Sequence, residues 1–156
     1  MLIGHVPAGY LFGKGLQGLG CSKPLYLGVL VGSFAPDLDM LWFHFVDHGS
    51  VHHHTYITHR PIVWLTVLLA GLVLRRHFVI GVGLGGILHM MLDTIAGAIA
   101  WGWPFFQHSL SLVTVPATHD HWVLSFMAHW TFQVEITICA IAAFVFWRSS
   151  LKGKKT

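Results

Sequence analysis

The stretch VHHHTYITHR at residues 51–60 runs without a linker into PIVWLTVLLAGLVL at residues 61–74, and this junction decides how the chain is read. Ten residues carry four histidines, two threonines and an arginine, and the next fourteen carry no charge. Imidazoles at that density beside a membrane-like segment suggest a metal site at the mouth of a helix bundle. The question is whether the other ligand-type residues can meet there.

The whole composition points the same way. Of 156 residues 54% are hydrophobic and only 10% charged, with 17 Gly and 7 Trp, and the mean hydropathy is +0.66. A soluble domain of this length needs more charge to cover its surface, so the expectation is one integral membrane domain over residues 1–156. Glycine suits close helix contacts, and tryptophan suits the headgroup level. The net charge of +3 comes partly from a basic tail, Arg148, Lys152, Lys154 and Lys155. That points to anionic lipid and away from nucleic acid. Cys21 and Cys139 stand in no CxxC spacing and predict no disulfide. His5, Pro7 and repeated glycines break the first apolar run, and no basic region precedes it, so no cleavable signal is expected.

The predicted fold is all-α, a bundle of four main hydrophobic helices over residues 24–46, 61–74, 78–101 and 122–147, plus a short N-terminal helix within residues 2–12. Residues 13–23 read as a glycine-rich turn. Basic residues cluster at Lys14/Lys23, at Arg75/Arg76 and from Arg148 onward. Placing all three inside gives a multi-pass membrane protein with a cytoplasmic C-terminus. His5, Asp37, Asp39, His54, His59, His89 and Asp93 then fall in the outer half of the membrane at similar depth.

Thirteen histidines face only six acidic residues, and ionisable groups in hydrocarbon need partners. His89 and Asp93, at i and i+4, share a helix face and can give two ligands, or one ligand and its orienting carboxylate; a buried pair that only fixes packing is the alternative. Asp37 and Asp39 lie about 12 residues into their segment, about 18 Å along a helix. Pro36 can open the turn there so that both point inward. His54 and His59 flank four residues and need a loop or helix start to meet, with Thr58 expected to cap the helix at Pro61. Arg60 beside them suits an anion, or else snorkels to headgroups. His52 and His53 are expected to be exposed neighbours. His108, His119, Asp120 and His121 read as an outer polar loop, and His129 and Glu135 as groups of open role on the last helix.

A set of histidines and aspartates without thiolate suits Zn, with Mn or Fe as alternatives, in one to three divalent ions. Metal-bound water would attack an ester or phosphoester of a lipid or lipid-linked substrate, with Asp39 or Asp93 as general base and Arg60 holding the anion.

The order Gly4-His5-Val6, Pro36-Asp37-Leu38-Asp39, His54-x-x-x-Thr58-His59, Gly86-Ile87-Leu88-His89-Met90-Met91-Leu92-Asp93 and Trp103-Pro104-Phe105 resembles the bacterial inner-membrane-bound, metal-dependent hydrolase family named for a LexA-regulated membrane protein. The likeness covers about residues 1–106. Thr55 stands where that pattern usually has Arg, and Arg60 where it has Ser. The resemblance implies a bacterial inner membrane location, with the site facing the periplasmic side, and divalent-metal binding at His5, Asp37, Asp39, His54, His59, His89 and Asp93. A looser likeness to zinc-dependent phospholipase C and related all-helical nucleases implies phosphoester substrates. Two other readings stay open: a divalent-metal transporter using the same residues as a permeation site, and a membrane protein with a merely structural metal. The sequence does not determine the oligomeric state.

Overall fold

The structure is a computed structural model and describes residues 1–153, so Lys154 and Lys155 of the expected basic tail lie outside the described residues. Among the described residues the chain is all-helical: α1 (His5–Gly18), α2 (Lys23–Phe34), α3 (Asp39–Phe45), α4 (Pro61–Val73), α5 (His77–Asp93), α6 (Trp122–Ala128) and α7 (Trp130–Gly153). Short 3-10 turns at Ala35–Leu38, His53–Thr55 and Ile57–His59 join them, and one isolated bridge pairs Ile99 with Leu110.

Local chemistry sets these boundaries. Proline stands in the first turn of both α2 and α4, where its missing N–H costs no helical bond. Pro36 opens the Ala35–Leu38 turn and so separates α2 from α3. Arg75 takes a positive φ of 51° just past α4, and the Arg76 N–H closes back on the Gly71 carbonyl at 2.9 Å.

The expectation of four spanning helices is corrected by these lengths. Among the described residues only α7 is long and apolar enough to cross a membrane, over Trp130–Leu151; Pro61–Val73 and His77–Asp93 are apolar but shorter. At the helical rise, 13 residues of α4 reach about 20 Å, short of a hydrocarbon core of about 30 Å. The run expected over residues 78–101 stops at Asp93, because Thr94 onward turns to form the Ile99–Leu110 bridge. The run over residues 122–147 breaks at His129, whose backbone is extended (φ −88°, ψ 148°). Conversely, α1 outlasts its expected end and absorbs part of the glycine-rich turn.

Helices α2 and α5 cross on facing glycines. A Cβ on Gly28 would come within 2.1 Å of the Phe78 carbonyl, and one on Gly32 within 2.1 Å of the Val82 carbonyl. Gly81 and Gly85 answer from the other side, where a Cβ would lie 2.1 Å from the Leu25 carbonyl and 2.3 Å from the Val29 carbonyl. Both pairs have the small-xxx-small spacing that lets backbones touch, the usual way helices associate when lipid offers no hydrophobic drive. The apolar core beside this contact is small, built on Trp64, Met90 and Ile99.

Polarity is turned outside-in. His5, Ser33, Asp39, His54, His59, His89, Asp93, Thr131 and Glu135 are buried, whereas Phe45, Leu69, Val73 and Phe146 are exposed. The basic clusters gather away from the site end of the bundle. The Ser22 hydroxyl lies 2.8 Å from His77 Nδ1, which brings the turn before Lys23 beside Arg75 and Arg76. Tyr10 sets the last turns of α7 beside Lys14, through an edge contact to Phe146 and the Lys14 ammonium over its own ring.

Candidate metal centre

Each predicted ligand stands where a helix starts, stops or tightens. His5 is the first residue of α1, Asp37 lies in the Ala35–Leu38 turn, and Asp39 opens α3. His54 and His59 lie on the two 3-10 turns before α4, and His89 and Asp93 lie toward the C-terminal end of α5. Five breaks in the bundle therefore face one another. His59, His89 and Asp93 offer ligand atoms that lie within 4.8 Å of one another, and so do His5, Asp37 and His89.

The hydrogen bonds decide which atoms are free. His59 donates its Nδ1–H to Asp39 Oδ2 at 2.6 Å, and the Thr58 hydroxyl donates to the same oxygen. His89 donates its Nδ1–H to the Ser33 carbonyl at 2.9 Å. These partners fix both rings in the tautomer that leaves Nε2 with a lone pair, the arrangement that orients metal-binding histidines. His5 Nε2 faces the Met1 carbonyl at 3.2 Å and Asp93 Oδ1 at 3.1 Å, which leaves its Nδ1 bare. The ring of His5 stacks on that of His89 at 3.6 Å. The Met1 amine also reaches Asp93 Oδ1.

At the centre, His89 Nε2 lies 3.0 Å from Asp93 Oδ2 and 3.5 Å from Asp37 Oδ1. His59 Nε2 lies 3.6 Å from Asp93 Oδ2 and 3.7 Å from Asp37 Oδ1, and His54 Nε2 is 3.7 Å from Asp93 Oδ2. Six buried side-chain atoms among the described residues have no hydrogen-bond partner: His5 Nδ1, Asp39 Oδ1, His54 Nδ1, His59 Nε2, His89 Nε2 and Asp93 Oδ2. All six belong to residues expected as ligands. Each such atom costs about 1–3 kcal/mol when left unpaired in the interior. A divalent cation would satisfy several at once, so the donors present fit one.

Some expectations shift in detail. Asp39 spends Oδ2 on His59 and Thr58, so it orients a ligand and retains only Oδ1 as a donor atom. Thr58 does not cap α4, because its hydroxyl serves Asp39 while its carbonyl takes the Trp64 indole N–H at 2.7 Å. His53, expected to be exposed, is half-buried and groups with His54 and His59. Burial, with His59 nearby, pushes its pKa down to about 4. Burial likewise pushes His54 to about 2 against the opposing charge of Asp93, which keeps the ring neutral as a metal ligand requires. His52 is exposed, and its Nδ1 accepts the His54 backbone N–H at 3.3 Å. His108, His119 and His121 are exposed and stand outside these groups. His129 is occupied with the Thr131 hydroxyl at 2.9 Å.

Two contributors, Ser33 and Gly97, carried no sequence signal of this role. Ser33 acts through its carbonyl, and Gly97 leaves room for His54 (a Cβ there would sit 2.3 Å from His54 Cε1). Glu135, expected to need a partner and able to back the site, finds that partner in backbone. A cavity of about 360 Å³ opens beside His54, lined also by Thr55, Arg60, Trp103, Gln107 and Ser109. Arg60 donates to the Thr55 carbonyl at 2.8 Å and lies 5.7 Å from the centre of the Trp103 ring.

The family model described as YdjM inner membrane protein matches residues 1–154, and the chain therefore belongs to that family of inner membrane proteins. No curated protein and no solved structure matches it.

Proposed function

We propose that this member of the YdjM inner membrane protein family is a metal-dependent hydrolase, cleaving an ester or phosphoester of a lipid or lipid-linked substrate. The observation that carries the reading is the set of six unpartnered buried atoms, all on expected ligand residues. Buried charge and bare imidazole nitrogens are expensive unless they bind something, and intramembrane ionisable groups are functional by default. His5, Asp37, His54, His59, His89 and Asp93 would hold the ions, with Asp39 completing the set through Oδ1. The two overlapping triads at His89 favour more than one ion. Zn is the expected metal, with Mn or Fe fitting the same donors.

Bound divalent ions supply a water made acidic near neutral pH and positive charge toward a developing oxyanion. The chain supplies the rest. Asp39 and the Ser33 carbonyl hold the protons of His59 and His89 on Nδ1. Of the two carboxylates expected as general base, Asp93 keeps a free oxygen amid three imidazoles, and we assign the role to it. Arg60, braced by Trp103 at the cavity wall, holds the anionic part of the substrate.

The proposed topology is multi-pass, with α4 and α5 embedded as well as α7, the site toward the periplasmic face and the C-terminus in the cytoplasm. Its support is the gathering of Lys14, Lys23, Arg75, Arg76 and Arg148 away from His89 and Asp93.

The test is release of phosphate or headgroup from a panel of phosphoester lipids by the purified protein, with and without chelator, and by His89→Ala. Chelator-sensitive turnover lost in a folded His89→Ala supports an enzyme. Metal movement across proteoliposomes with no turnover supports the transporter instead.

A further inference from the structure

Glu135 is the acidic residue of α7, and it is completely buried. Its carboxylate accepts a run of backbone N–H groups: Leu2 at 2.8 Å and 2.9 Å, Ile3 at 2.6 Å and Gly4 at 3.1 Å. Those groups lead into α1 and end at its N-cap, Gly4, which offers no side-chain bond. The N-terminus of this 14-residue helix carries partial positive charge, which favours an anion beside it. Gly4 permits the approach, since a Cβ there would already stand 3.4 Å from Glu135 Cγ and 3.2 Å from Met1 Sδ.

The residue that follows this clamp is His5. Its ring lies nearly flat on His89 at 3.6 Å, with Nε2 3.1 Å from Asp93 Oδ1, and its Nδ1 is buried without a partner. No element other than α1 carries His5, and the segment before it has no regular structure of its own. We propose that Glu135 is a positioning residue: by binding the 2–4 backbone it docks the start of α1 on α7 and sets His5 against His89 and Asp93. The last helix, which contributes no ligand, thereby controls the completeness of the metal centre. This extends the ligand set proposed above, and its test does not depend on turnover.

The experiment uses the full chain in detergent micelles with isotope-labelled histidine, the rings of His5 and His89 being identified from His5→Ala and His89→Ala. Stacking at this distance displaces both sets of ring signals by ring current. In Glu135→Ala both are expected to move to unstacked positions while those of His119 and His121 stay put. Glu135→Gln keeps an acceptor oxygen without the charge and is expected to move them part of the way. Zn(II) titration gives a second reading. Glu135→Ala and His5→Ala are expected to weaken binding by a similar factor, and the double variant by no more than either alone. His5 and His89 signals at wild-type positions in Glu135→Ala, or additive losses in the double variant, overturn the proposal. If Glu135→Ala does not fold, Glu135→Gln decides: a shift confined to these two rings supports the clamp, and an unchanged spectrum refutes it. In a wild type that takes up no metal the ring signals still answer.

Discussion

His59 gives its Nδ1 proton to Asp39 Oδ2 across 2.6 Å, and that single bond turns its bare Nε2 toward Asp37 and Asp93. Asp39 opens α3 and His59 lies on the turn before α4, yet Asp39 orients His59 as the Ser33 carbonyl orients His89. A ring held this way loses no orientational freedom when a cation arrives, which is the usual value of a partner behind a ligand.

Asp39→Asn keeps the size of that partner and removes its charge. The account predicts Zn(II) binding about 10–100-fold weaker, the range typical for loss of such a partner, in a protein whose helical circular dichroism is unchanged. Competition with a chromophoric chelator measures it. Wild-type affinity would mean that His59 does not depend on Asp39.

Arg60 lines the cavity beside His54, its guanidinium over Trp103. Arg60→Ala should raise KM for an anionic phosphoester about tenfold or more, since a charge-assisted hydrogen bond contributes roughly 1.5–3 kcal/mol, and leave bound metal unchanged. Arg60→Lys should recover only part of this, because an ammonium lacks the planar fork. Equal KM in all three proteins would remove Arg60 from substrate binding.

The crossing of α2 on α5 leaves no room for side chains. Gly32→Val would drive a Cβ to 2.1 Å from the Val82 carbonyl, and Gly85→Val would press on α2 likewise. Each should cost at least about 1–3 kcal/mol, the range for overpacking, read as a lower thermal midpoint in detergent. Loss of metal should follow, because Ser33 and His89 meet across this same contact. Unchanged midpoints would mean that the helices lie further apart.

The parts of this molecule legible in its sequence are those that local chemistry writes. Histidines and aspartates in an apolar background announced a site, and Pro36 announced the opened turn that carries Asp37. What stayed hidden depends on backbone atoms and on contacts across the bundle. The Ser33 carbonyl and the N–H groups of residues 2–4 have no signature, so the partners of His89 and Glu135 were unreadable. Helix ends were misjudged where hydrophobicity continued past them. Residues 94–101 remain apolar yet leave the helix to pair with Leu110, and His129 breaks a run that reads as continuous. The seven predicted ligands were spaced over some ninety positions, and only the fold shows that five helix breaks bring them face to face.

The central claim is that these breaks hold divalent metal, and elemental analysis of the purified protein tests it most directly. Wild type should carry at least one equivalent of Zn, Mn or Fe. His59→Ala should lose most of it while remaining folded, and His119→Ala and His121→Ala, altered outside the centre, should retain it. A folded wild type purified without chelator that holds no metal and takes none up on titration would contradict the account.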